Sequence, residues 1–282
     1  MDRKKEFARF VVLLALCVPA SCAAPREARG TAPAHRIVSL IPSLTEDLCA
    51  IGAGGSLVGV SQYSQDIPCA RRKPVVSGFS SLDAERVVEL KPDAIVGIPA
   101  QRRLTANLKE HIPTYFLSDD RYEDIFRDIT QLGVLAGRQA NARALNTRLH
   151  QQTNELRASE RFRRRPRVFV VLGTGPIWTV GPDSYLSTLI NLAGGRNAVA
   201  SLPGAYAQYS AEALVALQPD ALVSDESIHL DAALTRQPWR SLRAVARHRV
   251  FIIKNASLLE RPGPHYNEGL AWLIARLRPV AN

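Results

Sequence analysis

The 282-residue sequence lacks the short motifs by which many enzymes are recognised. It has no Gly-x-Ser-x-Gly, His-Glu-x-x-His, Gly-x-x-x-x-Gly-Lys or Cys-x-x-Cys pattern. Its six histidines are scattered, and none stands at metal-ligand spacing from another. Gly52 and Gly54 lack the third glycine of a dinucleotide-binding motif and follow a predicted helix instead of a strand. The sequence therefore predicts neither an enzyme nor a resident metal or cofactor.

The first apolar run, residues 10–18, is too short to span a bilayer. It follows a basic start and precedes small residues, which predicts a secretory signal over residues 1–21 and a tether over residues 22–35. The signal ends in a sequence that resembles a lipobox, although Pro19 stands where an aliphatic residue is usual. Two alternatives remain open: lipidation of Cys22 with membrane anchoring, or cleavage after Ala24. Both predict a location in the periplasm or at the outer face of the cell membrane.

Basic residues exceed acidic ones, with 36 Lys and Arg against 26 Asp and Glu and a net charge of +10. Removal of residues 1–21 takes away four basic and two acidic side chains, which leaves +8. Export and the lack of an aromatic-rich nucleic-acid motif argue against nucleic acid as a partner. Six arginines lie between positions 157 and 167. We interpret this run as the solvated end of a helix rather than a membrane or anion site.

Cysteine is scarce, with four in the whole chain. Cys17 and Cys22 belong to the signal region, so the exported domain keeps Cys49 and Cys69. No further Cys or His stands near enough in sequence to complete a zinc site. In an oxidising compartment such a pair predicts a structural disulfide.

A 14-residue pattern occurs twice, at residues 83–96 and 210–223, and equivalent positions are 127 apart. In each copy a capping residue is followed by an apolar helical face, a Pro-Asp pair and a short apolar run. Each copy therefore predicts a helix that ends before a buried strand of a parallel sheet. A repeat of this length predicts two similar α/β lobes rather than a solenoid.

The predicted lobes cover residues 36–137 and 163–282. Residues 138–162, between them, contain no Pro or Gly and are rich in good helix formers, which predicts one long connecting helix. The fold class is thus α/β, with two lobes of mainly parallel sheet joined by a helix. A ligand is expected between the lobes, beyond the strand ends.

Three motifs carry a family resemblance: Arg36-Ile-Val-Ser-Leu-Ile-Pro-Ser-Leu-Thr-Glu, Gly59-Val-Ser-Gln-Tyr-Ser and Glu85-Arg-Val-Val-Glu-Leu-Lys-Pro-Asp. They resemble the periplasmic binding proteins of cobalamin, haem and ferric-siderophore importers, and most of all those for cobalamin. The resemblance covers nearly the whole exported chain. It implies a class III solute-binding fold with a single helical connector, little hinge motion, and a monomer that holds ligand in its cleft.

The resemblance also implies a set of ligand-binding residues, which we expect in glycine-containing loops: Tyr63, Phe79, Trp178, Tyr206 and Arg261. Flat aromatic faces suit a large macrocycle, and the arginine could donate to amides or a phosphate. The sequence departs from the cobalamin receptors at Ser257, where they carry an aspartate. The expected ligand is cobalamin or a related corrinoid, and haem or a ferric siderophore remains open. Tyr63 or His265 could bind haem iron, and Arg102 and Arg103 could line a cleft for anionic siderophores.

Glu85 and Glu212 occupy the same place in the two repeats. In the family such glutamates pair with arginines on the transmembrane subunits of the importer, so the resemblance implies that they dock the protein onto its permease. The alternative is that both merely interact with the dipole of their own helix, which contributes about 0.3–1 kcal/mol. Two equivalent acids are what a two-fold symmetric permease would need.

Overall fold

The computed structural model describes residues 33–118, 120–158 and 162–282. The predicted signal segment and the predicted lipidation site, Cys22, lie outside these residues. In the described ranges, no helix is both long and apolar enough to cross a membrane.

A five-stranded parallel sheet, in the order β3-β2-β1-β4-β5, forms the N-lobe. Its inner strands are short apolar runs because helices cover both faces. The strands are β1 Ile37–Ser39, β2 Leu57–Ser61, β3 Val75–Ser77, β4 Ala94–Gly97 and β5 Thr114–Phe116. The helices are α1 Pro42–Ala50, α2 Ala84–Glu89 and α3 Tyr122–Leu135, and the connector is α4 Gln139–Ala158.

The C-lobe contains a four-stranded parallel sheet, in the order β12-β11-β6-β9, and a small antiparallel sheet, in the order β10-β8-β7. The strands are β6 Arg167–Val170, β7 Gly173–Thr174, β8 Ile177–Val180, β9 Arg196–Asn197, β10 Tyr206–Gln208, β11 Ala221–Asp225 and β12 Val250–Ile253. The helices are α5 Tyr185–Leu192, α6 Ala211–Leu217, α7 Leu230–Ala233, α8 Arg243–Ala246, α9 Ser257–Glu260 and α10 Tyr266–Ala281. The predicted α/β class with parallel central sheets is confirmed, whereas the antiparallel sheet was not predicted.

The sequence repeat is also a repeat of hydrogen bonds. Asp83 Oδ1 accepts a bond of 3.0 Å from the N–H of Arg86, and Ser210 Oγ accepts one of 3.0 Å from the N–H of Ala213. These side chains cap α2 and α6 at equivalent positions, as the pattern predicted.

The ends of the two repeated helices match as well. Lys91 and Gln218, again 127 positions apart, both have a φ of 45°, the left-handed conformation that terminates a helix. Two residues further on, an aspartate in each repeat binds the main chain at the start of a central strand. Asp93 accepts from the N–H of Arg36 at 3.1 Å, and Asp220 accepts from the N–H of Arg167 at 2.8 Å. In both repeats the residue before the proline therefore ends the helix, and the aspartate accepts a hydrogen bond from the main chain at the start of a strand.

The connecting helix is shorter than predicted. It ends at Ala158, residues 159–161 are outside the description, and Phe162 is not helical. A side chain at Gly194, which has a φ of 81°, would collide with the Phe162 ring. The prediction of helix through position 162 is therefore wrong, because Phe162 turns away to pack against the C-lobe.

The arginine run after the connector has structural partners. Arg164 donates to the carbonyl of Val280 at 2.9 Å and pairs with Asp220 at 3.2 Å. Arg165 donates to the carbonyl of Gly195 at 2.7 Å. The interpretation of this run as a solvated helix end is wrong for these two residues, which lie beyond the helix and bind main-chain carbonyls of the C-lobe.

Cys49 and Cys69 form a disulfide bond, with their Cα atoms 6.2 Å apart. It ties the end of α1 to the loop after β2. A Cβ atom at Gly54 would lie 2.8 Å from the sulfur of Cys69. The bond therefore needs a glycine at that position as well as the two cysteines.

Replacement of both cysteines by serine should lower the free energy of unfolding by about 3 kcal/mol, because the bond closes a loop of about 20 residues in the unfolded chain. Urea unfolding with and without a reducing agent measures this change. The reductant should destabilise the native protein and leave the Cys49→Ser, Cys69→Ser variant unaffected. An equal response of both proteins would contradict the prediction.

Candidate ligand-binding cleft

The carboxyl ends of several strands converge on a cavity of about 370 Å³ that both lobes line. Chain segments after β1, β2, β3 and β12 contribute to it, as expected for a ligand site beyond the ends of parallel strands. The lining residues are Ile41, Pro42, Ser43, Tyr63, Phe79, Glu260, Arg261 and Pro262. The structure thus brings together three residues that were predicted separately from sequence: Tyr63, Phe79 and Arg261.

Tight turns hold the two N-lobe aromatic residues. Ser61 Oγ accepts from the N–H of Tyr63 at 3.2 Å, immediately after β2. The N–H of Gly78 donates to the carbonyl of Ser81 at 3.1 Å, which fixes the turn that carries Phe79. Tyr63 and Phe79 are 50% and 59% exposed. Such large exposed aromatic faces beside a cavity are a ready surface for an apolar ligand.

Trp178 and Tyr206 belong to the antiparallel sheet and do not line this cavity. Trp178 on β8 lies opposite Gln208, and Tyr206 on β10 lies opposite Val180. The two aromatic residues are therefore diagonal neighbours on one face. The expectation that they lie in loops is wrong, because strands this short, flanked by Gly and Pro, leave no clear alternation in the sequence.

Tyr206 is one of the groups that act electrostatically on a buried tyrosine of the C-lobe, Tyr185. The buried hydroxyl of Tyr185, at the start of α5, has its pKa raised well above the usual value by burial first and then by surrounding groups. Those groups include Glu46 of the N-lobe and Tyr206 of the C-lobe. Tyr206 and Glu46 are thus both close enough to Tyr185 to influence it.

Arg261 crosses from the C-lobe to the N-lobe. Its Nη1 lies 3.0 Å from Glu46 Oε1 and 2.9 Å from Asp66 Oδ2, and its Nη2 donates to the carbonyl of Tyr63 at 3.2 Å. Burial raises the pKa of Glu46, and Arg261 partly offsets that effect. Sequence analysis missed both carboxylates, since they are 215 and 195 positions away from the arginine.

Glu260, the neighbour of Arg261, forms a second carboxyl cluster with Asp225. Burial, followed by the charge of Asp225 and a hydrogen bond with it, raises the pKa of Glu260 to about 7. Glu260 is exposed by surface area, whereas Asp225 at the end of β11 is buried. Neither residue was predicted to have a role, although Glu260 immediately precedes Arg261 in the sequence.

Other charged candidates lie away from this cavity. The Arg102 guanidinium stacks 4.6 Å from the centre of the Phe116 ring, and neither Arg102 nor Arg103 lines the cavity. His265 pairs with Glu268 at 2.9 Å. Within residues 33–118, 120–158 and 162–282, no cluster of His, Cys, Asp or Glu is arranged to hold a metal ion.

A larger cavity, of about 700 Å³, lies between α4 and α10. It is lined by helix side chains such as Arg148, Gln152 and Glu155, and none of the predicted aromatic residues reaches it. Because it is not at the strand ends, we regard the smaller cavity as the candidate ligand site.

Residues 37–256 match the family model described as periplasmic binding protein. The chain belongs to the periplasmic binding protein family. It is therefore a solute-binding protein rather than an enzyme, and family membership indicates that it works outside the cytoplasm.

Two relatives and two solved structures illustrate the range of this family. The chain is 28% identical to an ABC transporter substrate-binding lipoprotein, YvrC, of Bacillus subtilis, over 86% of this chain and 80% of the relative. It is 31% identical to the vitamin B12-binding protein of Vibrio cholerae over 87% and 90% of the two chains. The crystal structure of the V. cholerae protein BtuF has a TM-score of 0.77, with 27% identity and coverage of 88% and 98%. A periplasmic heme binding protein from Pseudomonas aeruginosa has a TM-score of 0.74, with 28% identity and coverage of 88% and 94%.

Replacement of Arg261 by glutamine should lower the free energy of unfolding at pH 7 by about 1–3 kcal/mol, because Glu46 stays desolvated without its partner. The pKa of Glu46 is already raised, so its charge disappears as pH falls through that raised value. The difference between variant and native protein should therefore be present at pH 7 and shrink towards pH 4. Urea unfolding at both pH values measures it.

Arg103→Gln is the matched control, since Arg103 is exposed, does not line the cavity and is not among the groups that act on Glu46. A loss that is equal for both arginine variants, or that does not change with pH, would contradict a role for the Arg261–Glu46 pair in stability.

Proposed function

We propose that this protein captures cobalamin or a related corrinoid between its lobes and delivers it to an ABC importer. The observation that carries the proposal is the pair of exposed aromatic side chains, Tyr63 and Phe79, beside a cavity lined by both lobes. Similarity to the vitamin B12-binding protein of V. cholerae, over most of both chains, supports the choice of ligand.

A corrinoid suits this surface in shape. Its macrocycle is broad and largely apolar on its faces, so aromatic rings can cover it by burial and by ring contact. The cavity is open to solvent and small, at about 370 Å³. It would therefore hold one part of the ligand, while Trp178 and Tyr206 of the antiparallel sheet would contact another.

Haem is the second candidate, supported by the P. aeruginosa structure at 28% identity. Tyr63 lines the cleft and could supply an oxygen ligand to iron, whereas His265 lines the larger cavity and pairs with Glu268. A ferric siderophore has less support, because Arg102 and Arg103 do not line the cleft.

The proposed partner is the transmembrane part of the importer, as the name of the B. subtilis relative suggests. Glu85 and Glu212 are exposed, one in each lobe, in the first turns of α2 and α6. Exposed acids at equivalent places can meet equivalent arginines on two permease subunits. A monomer, with or without a lipid on Cys22, completes the proposal.

Calorimetric titration with cyanocobalamin, and with haemin in parallel, tests the ligand. We expect one-to-one binding of the corrinoid. The variants Phe79→Ala and Trp178→Ala should each weaken it by about tenfold, or ~1.4 kcal/mol, through loss of aromatic contact. Tyr115→Ala is the control, since Tyr115 is an exposed aromatic residue of β5 outside the cavity. Binding of haemin alone would replace cobalamin with haem as the cargo.

Joint replacement of Glu85 and Glu212 by alanine should leave ligand affinity unchanged and abolish import into vesicles that contain the transporter. The control pair is Glu123→Ala with Glu268→Ala, which removes first-turn glutamates from α3 and α10 and so repeats any helix-dipole effect. Import that survives the first pair, or fails equally with both pairs, would rule out the docking role.

A further inference from the structure

The cation that lines the cleft is already neutralised by the protein. Among the described residues that line the cavity, Arg261 is the one basic side chain. Both Glu46 and Asp66 lie within 3.0 Å of its Nη1 atom. Two carboxylates against one guanidinium leave this cluster with a negative charge, so the arginine offers no net attraction to an anionic ligand.

A second source of negative charge lies next to the first. Glu260 lines the same cavity and shares a hydrogen bond with the buried Asp225. When Glu260 is ionised, its charge therefore adds to that of the carboxyl cluster around Arg261. The groups that act on Glu260 are Asp225 and Arg261, whereas His265 acts on Glu46.

The positive potential from the nearby helix N-terminus is smaller than the negative potential of these carboxylates. The N-terminus of α1 reaches the cavity at Pro42 and Ser43. A helix N-terminus is equivalent to about half a positive charge. Glu46 and Asp66 together exceed the charge of Arg261 by one, and an ionised Glu260 adds a second negative charge, so the cleft remains net negative.

We propose that the cleft selects its ligand by charge, with Glu260 as a specificity-determining residue that disfavours corrinoids bearing a peripheral carboxylate. The proposal rests on the proposed corrinoid-binding function and adds the class of corrinoid: neutral or cationic, with its side chains as amides. A carboxylate on the rim of the macrocycle meets carboxylates of the protein at short range, where solvent screening is incomplete.

The test compares two ligands that differ by one charge: cyanocobalamin and the derivative in which one peripheral propionamide is hydrolysed to the acid. Calorimetry on the mature protein at pH 8 should give about tenfold weaker binding of the acid. The ratio of the two dissociation constants should shrink at pH 6, because the pKa of Glu260 is about 7 and its carboxyl regains a proton. The ligand carboxylate stays ionised over this range.

Glu260→Gln should reduce the ratio at pH 8 towards its value at pH 6 and abolish the change with pH. Glu110→Gln, an exposed substitution outside the cavity, should behave as the native protein. Persistence of the pH effect in Glu260→Gln would overturn the role of Glu260. Thermal unfolding of each variant checks that the fold is retained. The ratio of dissociation constants in the native protein tests charge selection even if a variant fails to fold.

The outcomes separate this inference from the proposed function. Equal affinities for the amide and the acid would overturn charge selection while leaving corrinoid binding intact. Failure of both corrinoids to bind would overturn the proposed function, and haemin with its dimethyl ester then supplies the same comparison. Tighter binding of the ester would support charge selection, and equal binding, or no binding of either, would overturn it.

Discussion

The geometry of the cleft depends on one buried polar junction between helices of both lobes. Tyr266, at the start of α10, places its hydroxyl 2.6 Å from Thr153 Oγ1 and 3.1 Å from the hydroxyl of Tyr122. Asn267 donates to the carbonyl of Leu149 at 3.0 Å. The junction therefore joins α3, the connector and the C-lobe. Buried hydrogen bonds of this kind resist displacement, because any shift leaves a desolvated polar group without a partner. Arg261 adds a second link at the cleft itself.

Much of the framework could be predicted because it depends on local chemistry that is repeated in the chain. The capping residues Asp83 and Ser210 act within their own helix turns, and Pro92 and Pro219 exclude the helical conformation before them. The same argument gave the parallel sheets and most of the connecting helix. Tyr63 and Phe79 were predicted from the family resemblance, and both lie just after strands of the N-lobe.

What escaped prediction depends on contacts between distant positions. The carboxylates around Arg261 lie in another lobe, and no local pattern connects them to it. Glu260 gained its character from burial beside Asp225, which is a tertiary property. Trp178 and Tyr206 lie on strands of four and three residues whose partners determine their conformation. In each case the sequence supplied the residue type, and the fold supplied its surroundings.

The junction at Tyr266 also affects the order in which this protein can fold. Its contacts close loops of 113 residues between Thr153 and Tyr266 and 144 residues between Tyr122 and Tyr266, and the Arg261–Glu46 bond closes one of 215. Contacts at such separation form slowly, since the entropy of loop closure must be lost before they form. Each sheet can assemble from segments that are closer together in the sequence. The two lobes would therefore form before the contacts that shape the cleft between them. Ligand recognition is thus a late property of the folding reaction, and a bound ligand would report that the whole domain is complete.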